Sequence, residues 1–308
     1  MIATEPAGLA ARTAAATVDL PDPLLPRRVI RRVVAEPTAP GVGRFVTRSI
    51  LHDAGLPVVR TGHTALVSGR YYEAEHFEAY ARLRREGLNQ WSDLHPCDRT
   101  GGYDDIQSRP FLDRVLPTGG EVQGRRVLEY GCGTGGAACY LAQRGFRVDA
   151  VDLVPDAIEL ARRRAAERGL EILFAVQDVC HWTDVGDRFD YVIDIFCLQS
   201  IVTDDDRARL LSAVRTRLKP DGRYLISTAM FEPERVYDDN DHYDQSTGIV
   251  WTRVPKEVAD AVRLGDSWFV PNRRHLAAAA LRRELERHQF TVLEQSGRFG
   301  GELVCTPN

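Results

Sequence analysis

The sequence of 308 residues predicts an α/β fold, a mostly parallel sheet doubly wound by helices on both faces. Three observations carry that prediction. From residue 126 short apolar strands alternate with helical segments, the pattern of a parallel sheet with crossover helices. The stretch "VLEYGCGTGG" (127–136) sets four glycines between the first strand and its helix, where a backbone turns tightly and comes close to a ligand. The last two strands are close in sequence and therefore pair antiparallel.

Taken in order, "RVLEY" is the first strand and "GGAACYLAQRG" its helix. Strand "RVDAVDL" leads into helix "PDAIELARRRAAERG", followed by strands "EILFAVQ" and "DYVIDIF". Helix "DDDRARLLSAVRTRLK" opens with Thr203 and Asp206 as a capping pair. Pro220-Asp221-Gly222 closes it with turn chemistry before strand "GRYLISTAM". Residues 231–270 read as irregular. Helix "RHLAAAALRRELERHQ" then precedes strands "FTVLEQSGRF" and "ELVCTP".

Upstream of this domain, residues 1–40 carry prolines at 21, 23, 26, 37 and 40 and read as an irregular segment, its first twenty or so residues disordered. A short helix and a strand are expected in "RFVTRSILHDAG" and "LPVVRTG". Segment 73–87 is a clearer helix, with Phe77, Tyr80, Ala81 and Leu83 on one side, and 108–117 is a short helix. The organisation predicted is an irregular segment (1–40), a cap and candidate homodimer contact (41–120), and the α/β domain (121–308) with a substrate-covering insertion at 231–272. Aromatics in "YYEAEHFEAYARL" and "LNQWSDLHP" support the cap, because exposed apolar patches mark contacts.

Composition narrows the function. Hydrophobic residues make up 44% and charged residues 27%, enough for a core. A net charge of −4 lacks the basic excess of a nucleic-acid binder. No apolar run reaches the length of a membrane span, and the first residues lack a secretory signal's basic and apolar regions, so a cytoplasmic protein is expected. Six cysteines (97, 132, 139, 180, 197, 305) form no C-x-x-C pair, which predicts reduced thiols and no metal site.

The glycines alone leave the cofactor open between a dinucleotide, through Gly131, Gly133 and Gly136, and S-adenosylmethionine (SAM), through Gly131, Gly133 and Gly135. Three carboxylates bear on the choice. Glu129 stands two residues before Gly131, where a dinucleotide site continues its apolar strand and where a carboxylate faces a cationic ligand. Asp152 ends the second strand, placed to accept from the ribose hydroxyls of either cofactor. Asp178 ends the third, placed to accept from an adenine amino group.

With "VLEYGCGTGG", "VDAVDLVPDAIELAR", "VQDV", "FDYVID" and "LKPDGRYLIST" in order over 126–228, the chain resembles the class I SAM-dependent methyltransferases, in particular the small-molecule enzymes of bacterial natural-product and antibiotic biosynthesis. The resemblance implies a seven-stranded sheet with one reversed strand near an edge. It also implies Glu129, Gly131 and Gly133 at the methionine end of SAM. Asp152 would then hold the ribose, Leu153 would lie against the adenine, Asp178 and Val179 at its edge, and Phe196 and Cys197 would pass beside the cofactor. S-adenosylhomocysteine (SAH) would be the product.

The acceptor reads as a small molecule. "DIFCLQS" has neither the N/D-P-P-aromatic turn nor the Pro-Cys nucleophile of nucleic-acid methyltransferases. Gln199 stands where relatives often carry histidine. Candidate catalytic carboxylates are Asp194, Glu73 and Glu75, with burial suited to raise the pKa of Asp194. Candidate acceptor contacts are Tyr71, Tyr72, Gln199, Tyr237 and Asp244. Six acidic residues lie between 232 and 244, among Phe231, Tyr237, Tyr243 and Trp251. They favour N-methylation of a cationic amine, amino acid or guanidine. O-methylation of a phenol, sugar or carboxylate is the alternative, and a non-catalytic SAM-binding partner or sensor is the alternative of another class.

Overall fold

The computed structural model describes residues 70–94, 106–182 and 188–308. The expectations for residues 1–69, and for the end of "LNQWSDLHP", lie outside the described residues. Seven strands form the main sheet: β1 (Arg126–Tyr130), β2 (Arg147–Asp152), β3 (Ile172–Val176), β4 (Phe189–Ile195), β5 (Leu218–Ser227), β10 (Phe290–Ser296) and β11 (Glu302–Pro307). Their order is β10-β11-β5-β4-β1-β2-β3. β1 to β5 pair in parallel, while β11 runs antiparallel to both neighbours. One reversed strand beside an edge is what the sequence predicts.

Helices precede or follow these strands: α1 (Glu73–Glu86), α2 (Arg109–Val115), α3 (Gly136–Gln143), α4 (Pro155–Glu167), α5 (Asp204–Arg217) and α6 (Ala278–Arg287). The period of two along β1 explains the winding. Val127 joins a cluster with Leu141, Val148, Ile158 and Phe111. Leu128 and Tyr130 join the opposite cluster, with Leu210, Val214, Leu285 and Phe290. Each fully buried aliphatic or aromatic side chain here contributes about 1.5–3 kcal/mol relative to exposure. On this second face α5 and α6 are clamped together by Arg207 and Glu284, both buried, joined by two charge-assisted hydrogen bonds of 2.6 Å.

Local chemistry sets the helix ends. The Thr203 hydroxyl accepts from the Asp206 amide at 3.3 Å, as expected of the capping pair. α1 ends on Gly87 in the left-handed region (φ 65°), whose amide donates to the Leu83 carbonyl. Its buried side carries Tyr80 and Leu83, whereas Phe77 is 42% exposed, so the predicted stripe is rotated. α5 stops at Arg217 and strand pairing begins at Leu218. The register jumps from Phe189–Leu218 to Tyr191–Arg223, so Pro220-Asp221-Gly222 lies within an interrupted strand instead of a helix-ending turn.

The largest correction concerns 231–270. The segment belongs to a second sheet of four antiparallel strands, β6 (Asp241–Asp244), β7 (Ile249–Val254), β8 (Val262–Leu264) and β9 (Ser267–Arg274), in the order β6-β7-β9-β8. Gly248 (φ 75°) turns β6 into β7 where a Cβ would lie 2.9 Å from the His275 carbonyl oxygen. β9 takes Arg274 from the start of the predicted helix and meets the loop after β4.

Candidate active site

The carboxyl ends of β1, β2, β3 and β4 bring the predicted cofactor residues to one edge of the sheet. Gly131 (φ 61°) and Gly133 (φ 53°) follow β1 in the left-handed region. A Cβ on Gly131 would lie 2.4 Å from the Cys197 Sγ, and one on Gly133 would lie 2.7 Å from the Tyr80 hydroxyl. Both glycines therefore meet the need for close approach as well as for the turn. Asp152 is buried at the tip of β2, where its carboxylate accepts from the Gly133 amide at 2.8 Å and the Val154 amide at 2.9 Å. Burial raises its pKa, against those amide hydrogen bonds.

Glu129 is the unusual member. Only 3% exposed, it has one carboxylate oxygen, Oε2, without a hydrogen-bond partner among the described residues. Burial pushes its pKa up to about 8, with Asp152 and Asp194 adding repulsion. A buried carboxyl left half-satisfied is costly unless a ligand completes it. Asp178 follows β3, accepting from the Cys180 amide on Oδ1 (2.9 Å), while His181 Nδ1 (2.9 Å) and the Tyr72 hydroxyl (3.1 Å) meet its Oδ2. Val179 is buried beside it and Leu153 is half-buried near Tyr80. Phe196, after β4, holds a positive φ of 59°, a conformation sustained only where surroundings enforce it. Its amide donates to the Ser227 carbonyl, and Cys197 next to it packs on Gly131.

The predicted catalytic and acceptor residues have structural partners. Asp194 is 0% exposed, and its Oδ1 accepts from the Cys197 and Leu198 amides, both at 3.0 Å. Burial raises its pKa to about 7; Oδ1 tethers the loop after β4, while Oδ2, like the Glu129 Oε2, is buried without a hydrogen-bond partner among the described residues. Glu75 pairs with both arms of buried Arg273 at 3.0 and 3.2 Å, tying α1 to β9. Glu73 begins α1, half-buried. Gln199 accepts from the Ala229 amide at 2.8 Å, joining the loops after β4 and β5. The Tyr71 hydroxyl accepts from the Val202 amide at 2.8 Å, bracing α1 on the start of α5. Tyr72 is buried and reaches Asp178.

In the insertion, Asp244 organises its turn by accepting from the Ser246 and Thr247 hydroxyls, both at 2.7 Å. Glu232 pairs with Arg235 and Arg298, and Asp241 accepts from the Thr252 hydroxyl. Glu232, Asp241 and Asp244 thus turn to protein partners, while the rings converge. Phe231 stacks on Tyr243 (5.4 Å, 11°), Tyr243 on Tyr237 (5.1 Å, 8°), and Tyr237 on His275 (6.1 Å, 23°). Sequence reasoning passed over Tyr80, His76, Arg273 and His275. The first two share a readable signal, since Tyr72, His76 and Tyr80 repeat every four residues on one helix.

Known proteins agree with this architecture. Residues 127–222 match the family model of a methyltransferase domain. The match lies within the α/β part of the chain, and the sheet order is the one that the resemblance to class I SAM-dependent methyltransferases predicts. The chain is 31% identical over 124 residues to a ubiquinone biosynthesis O-methyltransferase of Aeromonas salmonicida, covering 40% of this chain and 51% of that protein. It is 36% identical over 132 residues to a 2-heptyl-1-hydroxyquinolin-4(1H)-one methyltransferase of Mycobacteroides abscessus, covering 42% and 57%. The chain thus spans about half the length of these curated relatives. Among solved structures, the DhpI-SAM-HEP complex shares the fold at a TM-score of 0.51 and 21% identity, covering 77% of this chain and 96% of that one. No helix among the described residues is long and apolar enough to cross a membrane.

These residues fit SAM. The orphaned Glu129 oxygen suits an ammonium, and the glycine turn brings Cys197 and Tyr80 so close that no side chain fits at residues 131 and 133. A cation docked on Glu129 lowers its pKa from about 8, so binding releases a proton below that pH. SAH affinity is therefore expected to rise between pH 6 and 7.5, by at most about tenfold per unit, and Glu129→Gln to flatten that slope. Calorimetry in buffers of different ionisation heat measures both. A wild-type affinity independent of pH over this range contradicts the role given to Glu129.

Proposed function

We propose that the chain transfers a methyl group from SAM to a small-molecule acceptor. The observation that carries this reading is the half-satisfied buried carboxyl of Glu129 beside Gly131, in line with Asp152 and Asp178 at adjacent strand ends. Glu129, Gly131 and Gly133 would hold the methionine end, Asp152 the ribose, and Asp178 with Val179 the adenine edge. SAM supplies an electrophilic methyl carbon on a sulfonium. The chain's task is then alignment and exclusion of water. α1 serves as the cover, with Tyr72 and Tyr80 reaching the strand ends.

For the acceptor we favour a hydroxyl on a planar aromatic ring. Phe231, Tyr243 and Tyr237 stack on one another in an aromatic column, an apolar wall against which a planar ring packs. The two curated relatives act, by their names, in ubiquinone biosynthesis by O-methylation and on a hydroxyquinolone. N-methylation of a cationic amine or guanidine is the second reading. It draws on the acidic residues of the insertion but is weakened by the partners of Glu232, Asp241 and Asp244.

Radiolabelled SAM with catechol, a hydroxyquinolone, an aliphatic amine and a guanidine tests the choice. Turnover of the hydroxyl compounds is expected. Turnover of the cations alone reverses the preference. Inertness toward all, with SAM bound, leaves a SAM-binding partner or sensor.

A further inference from the structure

Asp194 is fully buried and Glu75 is paired with Arg273, whereas α1 presents an imidazole above the strand ends. We propose that His76 is the general base of this site, an inference that rests on the hydroxyl acceptor proposed above.

Tyr72, His76 and Tyr80 lie at i, i+4 and i+8 of one helix face. The two tyrosines locate that face. Tyr72 donates to Asp178 after β3, and the Tyr80 hydroxyl lies against Gly133 after β1. His76 sits between them, above the strand ends where the cofactor residues converge.

The imidazole is oriented. Nδ1 lies 2.6 Å from the Tyr72 carbonyl oxygen. A carbonyl only accepts, so Nδ1 carries the proton and Nε2 carries the lone pair. Nε2 has no hydrogen-bond partner among the described residues, and the ring is half-buried, with the Trp91 ring 5.4 Å away.

The charges facing it come from three elements: Glu75 on α1, Asp152 at the end of β2 and Arg273 on β9. Glu75 and Arg273 are paired with each other. Burial and Arg273 lower the pKa of His76, while Glu75 and Asp152 raise it, with a net shift downward. The ring is therefore neutral at neutral pH and ready to accept a proton. The other candidates are closed off. His181 is engaged by Asp178 and Arg70, and His275 and Asp194 are 0% exposed.

In the step proposed, Nε2 takes the acceptor's hydroxyl proton and becomes imidazolium. The freed oxygen lone pair forms the O–CH3 bond as the sulfonium C–S bond breaks, its electron pair staying on sulfur as the thioether of SAH.

His76→Asn tests the base, because the asparagine amide retains a donor for the Tyr72 carbonyl and removes Nε2. SAH affinity of the full chain is expected to stay within about twofold of wild type. With catechol as probe, kcat is expected to fall about 100-fold or more. The acidic limb of the wild-type kcat profile at saturating SAM is expected to disappear, and imidazole to restore part of the rate to His76→Ala. A readout apart from turnover is the nitrogen NMR of 15N-histidine-labelled chain with SAH. The Nδ1–H tautomer is expected, titrating below the ordinary histidine value of about 6.5.

An Nε2–H tautomer, or unchanged kcat in His76→Asn, overturns the base alone. Loss of SAH binding in both His76→Asn and His76→Gln makes the residue structural and overturns it too. Wild type inert toward catechol and a hydroxyquinolone, while binding SAH, overturns the acceptor reading and the base with it.

Discussion

Replacing Glu284 by leucine is expected to destabilise the folded chain by about 3–5 kcal/mol, the usual effect of stranding one member of a buried ion pair. Arg207 is 2% exposed, and Glu284 meets its Nε and Nη2 at 2.6 Å each. The same guanidinium donates from Nη1 to the carbonyls of Leu198 (2.8 Å) and Ile201 (2.9 Å). It therefore fastens the loop after β4 as well as α5 to α6. The double variant Arg207→Leu/Glu284→Leu is expected to lose less than Glu284→Leu alone, since no charge remains buried. Urea unfolding of the full chain measures both. A Glu284→Leu variant within 1 kcal/mol of wild type would show that the guanidinium finds water or another carboxylate.

The second large effect is on the cofactor site. Gly131→Ala is expected to weaken SAH binding at least 100-fold. A methyl there meets the Cys197 Sγ at 2.4 Å, and residue 131 has a φ of 61°. The strained backbone costs of order 1–3 kcal/mol, and overpacking adds about as much. Adding Cys197→Gly to Gly131→Ala separates the two, because it removes the sulfur and leaves the φ cost. Partial recovery of affinity is expected. If Gly131→Ala binds SAH as wild type does, the turn after β1 does not shape the cofactor site.

The elements legible in the sequence obey a short period or a fixed spacing. β1, β2 and β4 were readable because buried parallel strands are apolar runs. β3 was readable because its run is apolar even at the exposed edge of the sheet, and Thr203 with Asp206 because capping is local. Glu129 stood out as a carboxylate inside such a run. The second sheet was not readable, because its strands "DHYD" and "SWFVPNRR" mix charges and a proline with apolar residues. Their pairing partners lie outside any short window. Among the site residues, Asp194, Glu75 and Asp244 looked free because their partners are non-local or act through backbone amides and hydroxyls. Arg273, the partner of Glu75, is 198 residues away. His76 was hidden because the helix face was drawn through Phe77.

Calorimetric titration of the full chain with SAH and, separately, with NAD tests whether the strand ends hold SAM. One saturable site for SAH is expected, with affinity lowered about 10-fold or more in Asp152→Ala, the effect of unpairing a ligand hydrogen bond, and no heat of binding with NAD. Saturable NAD binding with no response to SAH would contradict the account.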